Sequence, residues 1–428
     1  LPLDHFQFSN AGILHAEAVP LPQIAERFGT PCYVYSQATL DRHWQVFEAA
    51  FQGLPHRICY AVKANGNLAI LERLLEWGAS FDIVSLGELE RVLTAGGEGD
   101  DMVFSGVGKR RDEMERALEI GIHCFNVESA AELERLAEVA RAAGTRAPIA
   151  LRVNPDVDPQ THPYIATGLA ENKFGIPIEA APALYRWAAE QDCFTIRGID
   201  CHIGSQLTDM EPLMQALDHM LALADRLANE GIAVEHLDLG GGLGIAYRDE
   251  TPPDPATWGA AVRERLADRP YEILIEPGRS IIGNAGILLT RVELIKRNGD
   301  RPFVVVDAAM NDLIRPALYD AWQAVEPVAS DSAHPLERVD VVGPVCETGD
   351  FLAKQRDLRV GTGDLLAIRS AGAYGFAMAS NYNGRPRPPE VLVEGDQVHL
   401  IRARETLDDL WRGERCLALE RQTRINSG

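Results

Sequence analysis

Lys63 closes an apolar run, Ile58-Cys-Tyr-Ala-Val, and a lysine so placed either snorkels to solvent or lies inside a cavity mouth. In the second case its amine, desolvated enough to lose a proton, can attack a carbonyl and form a Schiff base. Taken alone, such a lysine is more often an ordinary strand-end residue. Four other groups are equally double-valued. Gly240-Gly-Gly-Leu-Gly244 lacks the third glycine and the spacing of a dinucleotide fingerprint, but a tight glycine turn before a helix offers bare N–H groups to a phosphate. Glu276-Pro-Gly-Arg279 is a rigid turn by default and an anion site if it faces a ligand. His202 stands in an otherwise apolar strand pattern, where a satisfied core histidine is the plain reading. Cys346, in Gly343-Pro-Val-Cys-Glu-Thr-Gly-Asp350, can be merely a small buried hydrophobe.

The elements that carry these groups alternate. Short apolar runs read as strands at Ile58–Val62, Phe81–Val84, Met102–Phe104, Cys124–Val127, Ile149–Val153, Ile196–His202, His236–Leu239 and Glu272–Ile275. Helical periodicity lies between them, at Leu68–Trp77, Gly87–Ala95, Ser129–Ala142 and Met210–Asn229. Eight strands with intervening helices point to an α/β fold, a closed (β/α)8 TIM-like barrel, although periodicity alone also allows an open doubly wound sheet. Each strand ends in a polar or glycine-rich group, from Lys63-Ala-Asn65 through Asp82, Arg152 and His202 to Glu276. In a parallel barrel such ends share one face, so together they describe a site where singly they would not.

After about Arg291 the texture changes to apolar runs separated by turn residues, which reads as a mostly β C-terminal domain, a Greek-key-like barrel or sandwich. The expected division is residues 1–36, an extended segment joining the β domain, then the barrel at 37–285 and the β domain at 286–428. A net charge of −22 disfavours nucleic acid and anionic membrane surfaces as partners. The seven cysteines show no CxxC pairing, which argues against a disulfide framework or a zinc site and fits a reducing compartment. No run approaches the roughly 20 apolar residues of a membrane span. The opening Leu1-Pro-Leu-Asp-His has no basic region or long apolar segment of a signal peptide, so the cytoplasm is the expected location.

Taken in order, the motifs resemble the fold-type III pyridoxal-phosphate (PLP) decarboxylases, the alanine racemase and ornithine decarboxylase superfamily, and within it the diaminopimelate decarboxylase family. The residues that carry the resemblance are Tyr60-Ala-Val-Lys-Ala-Asn65, Phe81–Leu89, Lys173-Phe-Gly-Ile176, His202-Ile-Gly-Ser-Gln206, Asp238-Leu-Gly-Gly-Gly242, Glu276-Pro-Gly-Arg279, Cys346-Glu-Thr-Gly-Asp350, Ala373-Tyr-Gly375 and Asn381-Tyr-Asn383. They span nearly the whole chain.

The resemblance implies roles. Lys63 would carry PLP, and Glu276 would pair with the pyridine nitrogen. His202 would stack on the ring, with Asp82 and Arg152 as supporting positions. Gly240, Gly241, Gly242 and the backbone of Glu276, Pro277, Gly278 and Arg279 would cradle the phosphate, helped by Ser205 and Tyr374. Arg279, Arg315, Tyr319 and Tyr374 would hold a substrate carboxylate, Arg being suited by its planar fork. Glu347 would accept the distal ammonium, and Cys346, supplied by the partner of a homodimer, would be the proton donor. No metal is implied. The implied reaction is decarboxylation of meso-2,6-diaminopimelate to L-lysine and CO2, the last step of lysine biosynthesis. Thr348 stands where serine is common in the family, leaving the Cys-Glu pair intact, and Glu347 stands where ornithine and arginine decarboxylases usually carry Asp. Three alternatives stay open at this stage: a decarboxylase of another diamino or dicarboxylic acid, a racemase, and an inactive binding homologue.

Overall fold

The computed structural model describes residues 4–157, 173–267 and 269–417. Eight parallel strands close on themselves: His56–Ala61, Ser80–Ile83, Met102–Phe104, Cys124–Val127, Ala147–Asn154, Phe194–Asp200, His236–Asp238 and Glu272–Ile275. Closure is made by Ile273–Ile275 pairing with His56–Ile58, next to each other in space although first and last in sequence. The strands are nearly continuous apolar runs because helices cover their outer face while side chains fill the interior. Cys59, Val103, Cys124, Ala150 and Leu274 form a small buried plug there, so the barrel is a packed core rather than a pore.

Serine and asparagine caps start several of the surrounding helices at fixed places. Asn67 accepts from Ala69 N–H, Ser85 from Glu88 N–H and Ser129 from Glu132 N–H, each satisfying a donor that the first helical turn leaves orphaned. These caps fall immediately after barrel strands one, two and four. The local sequence that begins each helix therefore also fixes where its strand stops, and with it the height of the functional side chain.

The second unit is a sheet containing Gly286–Asn298, Arg301–Val306, Glu337–Val342, Phe351–Leu358, Leu365–Ile368, Glu390–Glu394 and Gln397–Arg402. The early strand Cys32–Ser36 inserts into it, antiparallel to Gly286–Asn298 and parallel to Glu390–Glu394. A second parallel pairing joins Arg301–Val306 to Glu337–Val342, so the sheet is mixed rather than purely antiparallel. Its loops reach the barrel mouth. Tyr374 N–H donates to Ala64 O (2.8 Å) and the Asn65 amide donates to Gly372 O (3.2 Å), clasping the turn that holds Lys63.

Two expectations need correction. The glycine run at 240–244 does not open a helix; irregular chain follows it, and the next helix begins at Pro255. A phosphate there would meet turn backbone rather than a helix terminus. His202 is likewise not within a strand, because pairing ends at Asp200 and leaves Cys201 and His202 to turn over the barrel mouth. Among the described residues no helix is long and apolar enough to cross a membrane.

Candidate active site

A cavity of about 200 Å³ lies at the C-terminal ends of the barrel strands, under the loops of the β unit. It gathers Lys63, His202, Ser205 and Gly242 from the barrel side, with Glu276, Gly278 and Arg279 following the last strand. Arg315, Tyr319, Tyr374 and Met378 complete the lining from the β unit.

Lys63 sits in a single 3-10 turn, Val62–Ala64, directly after the first strand. Its Nζ donates to Asp82 Oδ2 at 2.6 Å, Asp82 being fully buried on the second strand while 37% of the Lys63 side chain faces the mouth. Burial favours the neutral amine, but the carboxylates of Asp82 and Glu276 outweigh it and hold the ammonium well above its ordinary range. His202 is the converse case. Burial, then the positive charges of Arg152 and Lys63, push its imidazole well below the usual value, so it stands neutral. Its Nδ1 accepts from Gly241 N–H (3.0 Å), and the side chain lines the cavity.

Glu276 belongs to a buried cluster with Asp200 and Asp238, whose oxygens come within 4.8 Å of one another. Burial and then the Asp238, Asp82 and Asp200 charges push Glu276 well above the ordinary carboxyl range. Asp238 is pushed up to about 6, chiefly by burial, although the Gly240 N–H works against the shift. Mutual repulsion is relieved by protons held within the cluster. Ser105 donates to Glu276 (3.4 Å), and Asn126 donates to Ser105 (3.2 Å) and Asp238 (3.4 Å), tying the third, fourth, seventh and eighth strand ends together.

The glycines work by absence of a side chain. A Cβ at Gly241 would lie 2.2 Å from Glu276 O, and one at Gly278 would lie 3.0 Å from the Cβ atoms of Ala61 and Ala64. Gly240 and Gly242 also have φ of +63° and +102°, left-handed values that other residues adopt at a cost. The Gly240 N–H is committed to Asp238 and the Gly241 N–H to His202, so these two shape the turn while Gly242 lines the cavity.

Arg279 and Arg315 are both buried at the cavity wall, and among the described residues neither has an ion-pair partner. Arg279 donates to Tyr247 Oη (2.6 Å) and Ser205 Oγ (3.0 Å) and lies over the Tyr374 ring. Arg315 lies over the rings of Tyr247 and Tyr319. Arg152 and Asp82 do not line the cavity. Arg152 is paired with Glu128 at 2.9 Å and caps the Phe174 ring, while Asp82 acts through Lys63. Pro277 contributes its carbonyl, which accepts from Ala61 N–H (3.2 Å). Cys346 and Glu347 stand exposed outside the cavity, with Cys346 N–H donating to Asn383 and Glu347 accepting from Tyr382 Oη (2.8 Å).

Sequence reasoning passed over several participants. Asp200, at the end of the sixth strand, is not singled out, while Ser105, Asn126 and Glu128 are read only as polar strand ends with no assigned role. Glu88, pushed up to about 7 chiefly by burial, lies beside Lys63 in a second opening of the same mouth. Tyr247 follows no strand and carried no signal at all.

The residues fit PLP. One cavity brings together a lysine, a neutral imidazole, a proton-holding carboxyl and a side-chain-free turn beside a guanidinium and a hydroxyl. Comparison with known proteins agrees. Residues 37–283 match the family described as pyridoxal-dependent decarboxylase, pyridoxal binding domain. The chain is 60% identical over 415 residues to the diaminopimelate decarboxylase of Pseudomonas aeruginosa, covering 97% of this chain and 100% of that one. It is 55% identical to the enzyme of that name from Vibrio cholerae, covering 96% and 98%. Among solved structures, diaminopimelate decarboxylase from Helicobacter pylori complexed with L-lysine superposes with a TM-score of 0.89 at 39% identity, covering 94% of this chain and 100% of that one. The M. jannaschii diaminopimelate decarboxylase in co-complex with L-lysine gives a TM-score of 0.92 at 36% identity, covering 97% and 99%.

Proposed function

From the premise that the chain belongs to the diaminopimelate decarboxylase family of PLP-dependent carboxy-lyases, we propose that each charged group at the barrel mouth has one task in that reaction. The enzyme releases CO2 from meso-2,6-diaminopimelate and yields L-lysine. PLP, when bound, supplies the electron sink that accepts the pair left behind by departing CO2.

The chain's own residues do the rest. Lys63 anchors the cofactor and must first shed the proton that Asp82 holds on it. Glu276 keeps a proton available to the ring nitrogen, because its buried neighbours disfavour its anion. His202, neutral and flat, supports one ring face. Gly242, Gly278, Ser205 and Tyr374 surround the phosphate end. Arg279, Arg315 and Tyr319 grip the carboxylate that does not react, which leaves the other carboxylate over the ring. Glu347 receives the distal ammonium, and Cys346 delivers the proton that replaces CO2.

The observation that carries this reading is the pair of buried guanidinia in the same cavity as Lys63, which have no carboxylate partner among the described residues. A substrate with a second carboxylate satisfies them. The exposed Cys346-Glu347 pair lies outside that cavity, which supports a homodimer in which each chain completes the other's site. A cytoplasmic location suits an acidic enzyme whose substrate is a small metabolite. The test is release of CO2 and L-lysine from meso-diaminopimelate by the PLP-loaded protein, against ornithine, arginine and lysine as competitors. CO2 from ornithine but not from diaminopimelate, or a racemised product without CO2, would overturn it.

A further inference from the structure

Arg279 and Arg315 pose an electrostatic problem. Two cations share one buried wall, and like charges at short range in a low-dielectric setting repel strongly. The Nε atoms of both are buried and have no hydrogen-bond partner among the described residues. Such a pair should splay apart unless something holds it. Tyr247 touches both. Its hydroxyl oxygen accepts from Arg279 Nη1 at 2.6 Å, while the Arg315 guanidinium lies 5.3 Å and that of Arg279 5.9 Å from the ring centroid. A π face attracts a cation, and an oxygen lone pair satisfies one guanidinium donor.

Tyr247 is itself firmly placed. The Gln206 side chain bonds both the N–H (3.1 Å) and the carbonyl (2.6 Å) of Ile245, and Asn284 donates to Ala246 O (3.3 Å). The Glu250 carboxylate accepts from Tyr247 N–H (2.9 Å) and Arg248 N–H (2.7 Å). A segment pinned at four successive residues, leading straight from the glycine turn, thus ends on the two arginines.

We infer that Tyr247 is a positioning residue that holds the Arg279 and Arg315 guanidinia together as one carboxylate clamp, and thereby sets the preference for a substrate with a second carboxylate. The inference rests on the proposed function for the clamp's natural occupant, but the clamp can be probed without turnover. Pimelate, the seven-carbon dicarboxylate without amino groups, serves as the probe.

The experiment compares parent enzyme with Tyr247→Phe and Tyr247→Leu, all PLP-loaded. Calorimetry gives the pimelate Kd, steady-state assays give kcat and KM for meso-diaminopimelate, and the visible absorbance reports cofactor loading. Losing a hydrogen bond to a charged group in Y247F should raise both Kd and KM about tenfold, with kcat within about twofold and the absorbance unchanged. Y247L, lacking the polar oxygen and the π face, should raise both further. An unchanged Kd in folded Y247F, or a fall in kcat with Kd unaltered, overturns the inference. If thermal unfolding shows Y247F unfolded, Tyr247→Trp, which keeps an aromatic face without the hydroxyl, is held to the same criterion. A parent enzyme that binds pimelate yet releases no CO2 from diaminopimelate would sink the proposed function and leave the Tyr247 comparison standing.

Discussion

Lys63 rests as an ammonium, and the Asp82 carboxylate 2.6 Å away is the main reason. Burial pulls its proton affinity down, Asp82 and Glu276 pull it up by more, and only the neutral amine can attack a carbonyl. Removing the Asp82 charge therefore moves the balance toward the free amine at a given pH. In Asp82→Asn the pH midpoint for PLP capture, followed by visible absorbance, should move to lower pH. A midpoint that stays put or rises would show that Asp82 does not govern the lysine. Lys63 itself was legible as a strand-end lysine among polar neighbours, whereas its partner's effect was not. Electrostatic pairing across adjacent strands depends on register, and register is set by the closed sheet.

Strand ends and the turns after them decide which side chains meet. The turn at Gly240–Gly242 abuts the end of the last barrel strand so closely that a methyl group at Gly241 would meet Glu276 O. Gly241→Ala should therefore displace Glu276 and the turn together and weaken PLP binding at least tenfold, as read by cofactor titration. Retained affinity would mean that the turn can shift without loss. The carboxylate cluster gives a second expectation. Asp238 binds its proton up to about pH 6, above the usual value of about 4 for an unfolded chain, so the native state holds the extra proton between the two. Its contribution to stability is thus present at the acidic end of that window and lost as pH rises through about 6. For the cofactor-free protein, Asp238→Asn should reduce the drop in Tm between pH 5 and pH 8; an undiminished drop would place the proton elsewhere. Apolar runs revealed all eight barrel strands, because parallel strands covered on both faces must be apolar. The same reading placed a helix after the glycine run, where irregular chain stands instead. Glycine spacing signals backbone freedom, and that freedom serves a loop as well as a helix start.

At the scale of the molecule, the cavity and the Cys346-Glu347 pair are separate surfaces of one chain. If a homodimer joins them, Lys63→Ala and Cys346→Ala proteins, each inactive alone, should regain up to about a quarter of parental activity when their subunits are exchanged, the statistical share for one intact site per mixed dimer. Exchange proven by mass without recovered CO2 release would argue against shared sites. This part of the site was readable only through the resemblance. Distance across an interface leaves no periodicity in the sequence, and Cys346 alone looks like any small apolar residue.

The hydrogen bonds from Tyr374 N–H to Ala64 O and from Asn65 to Gly372 O tie the lysine-bearing turn of the barrel to a loop of the β unit. Asn67 extends the tie, donating to Glu390, which also accepts from Tyr35. Barrel and sheet are therefore poor candidates for modular exchange. A chimaera that takes its barrel from one relative and its sheet from another must inherit matched halves of this seam. Otherwise each half folds with an intact core, yet the turn between them is left to wander. Catalytic competence in recombined relatives should follow identity along this narrow strip more closely than identity over the chain as a whole.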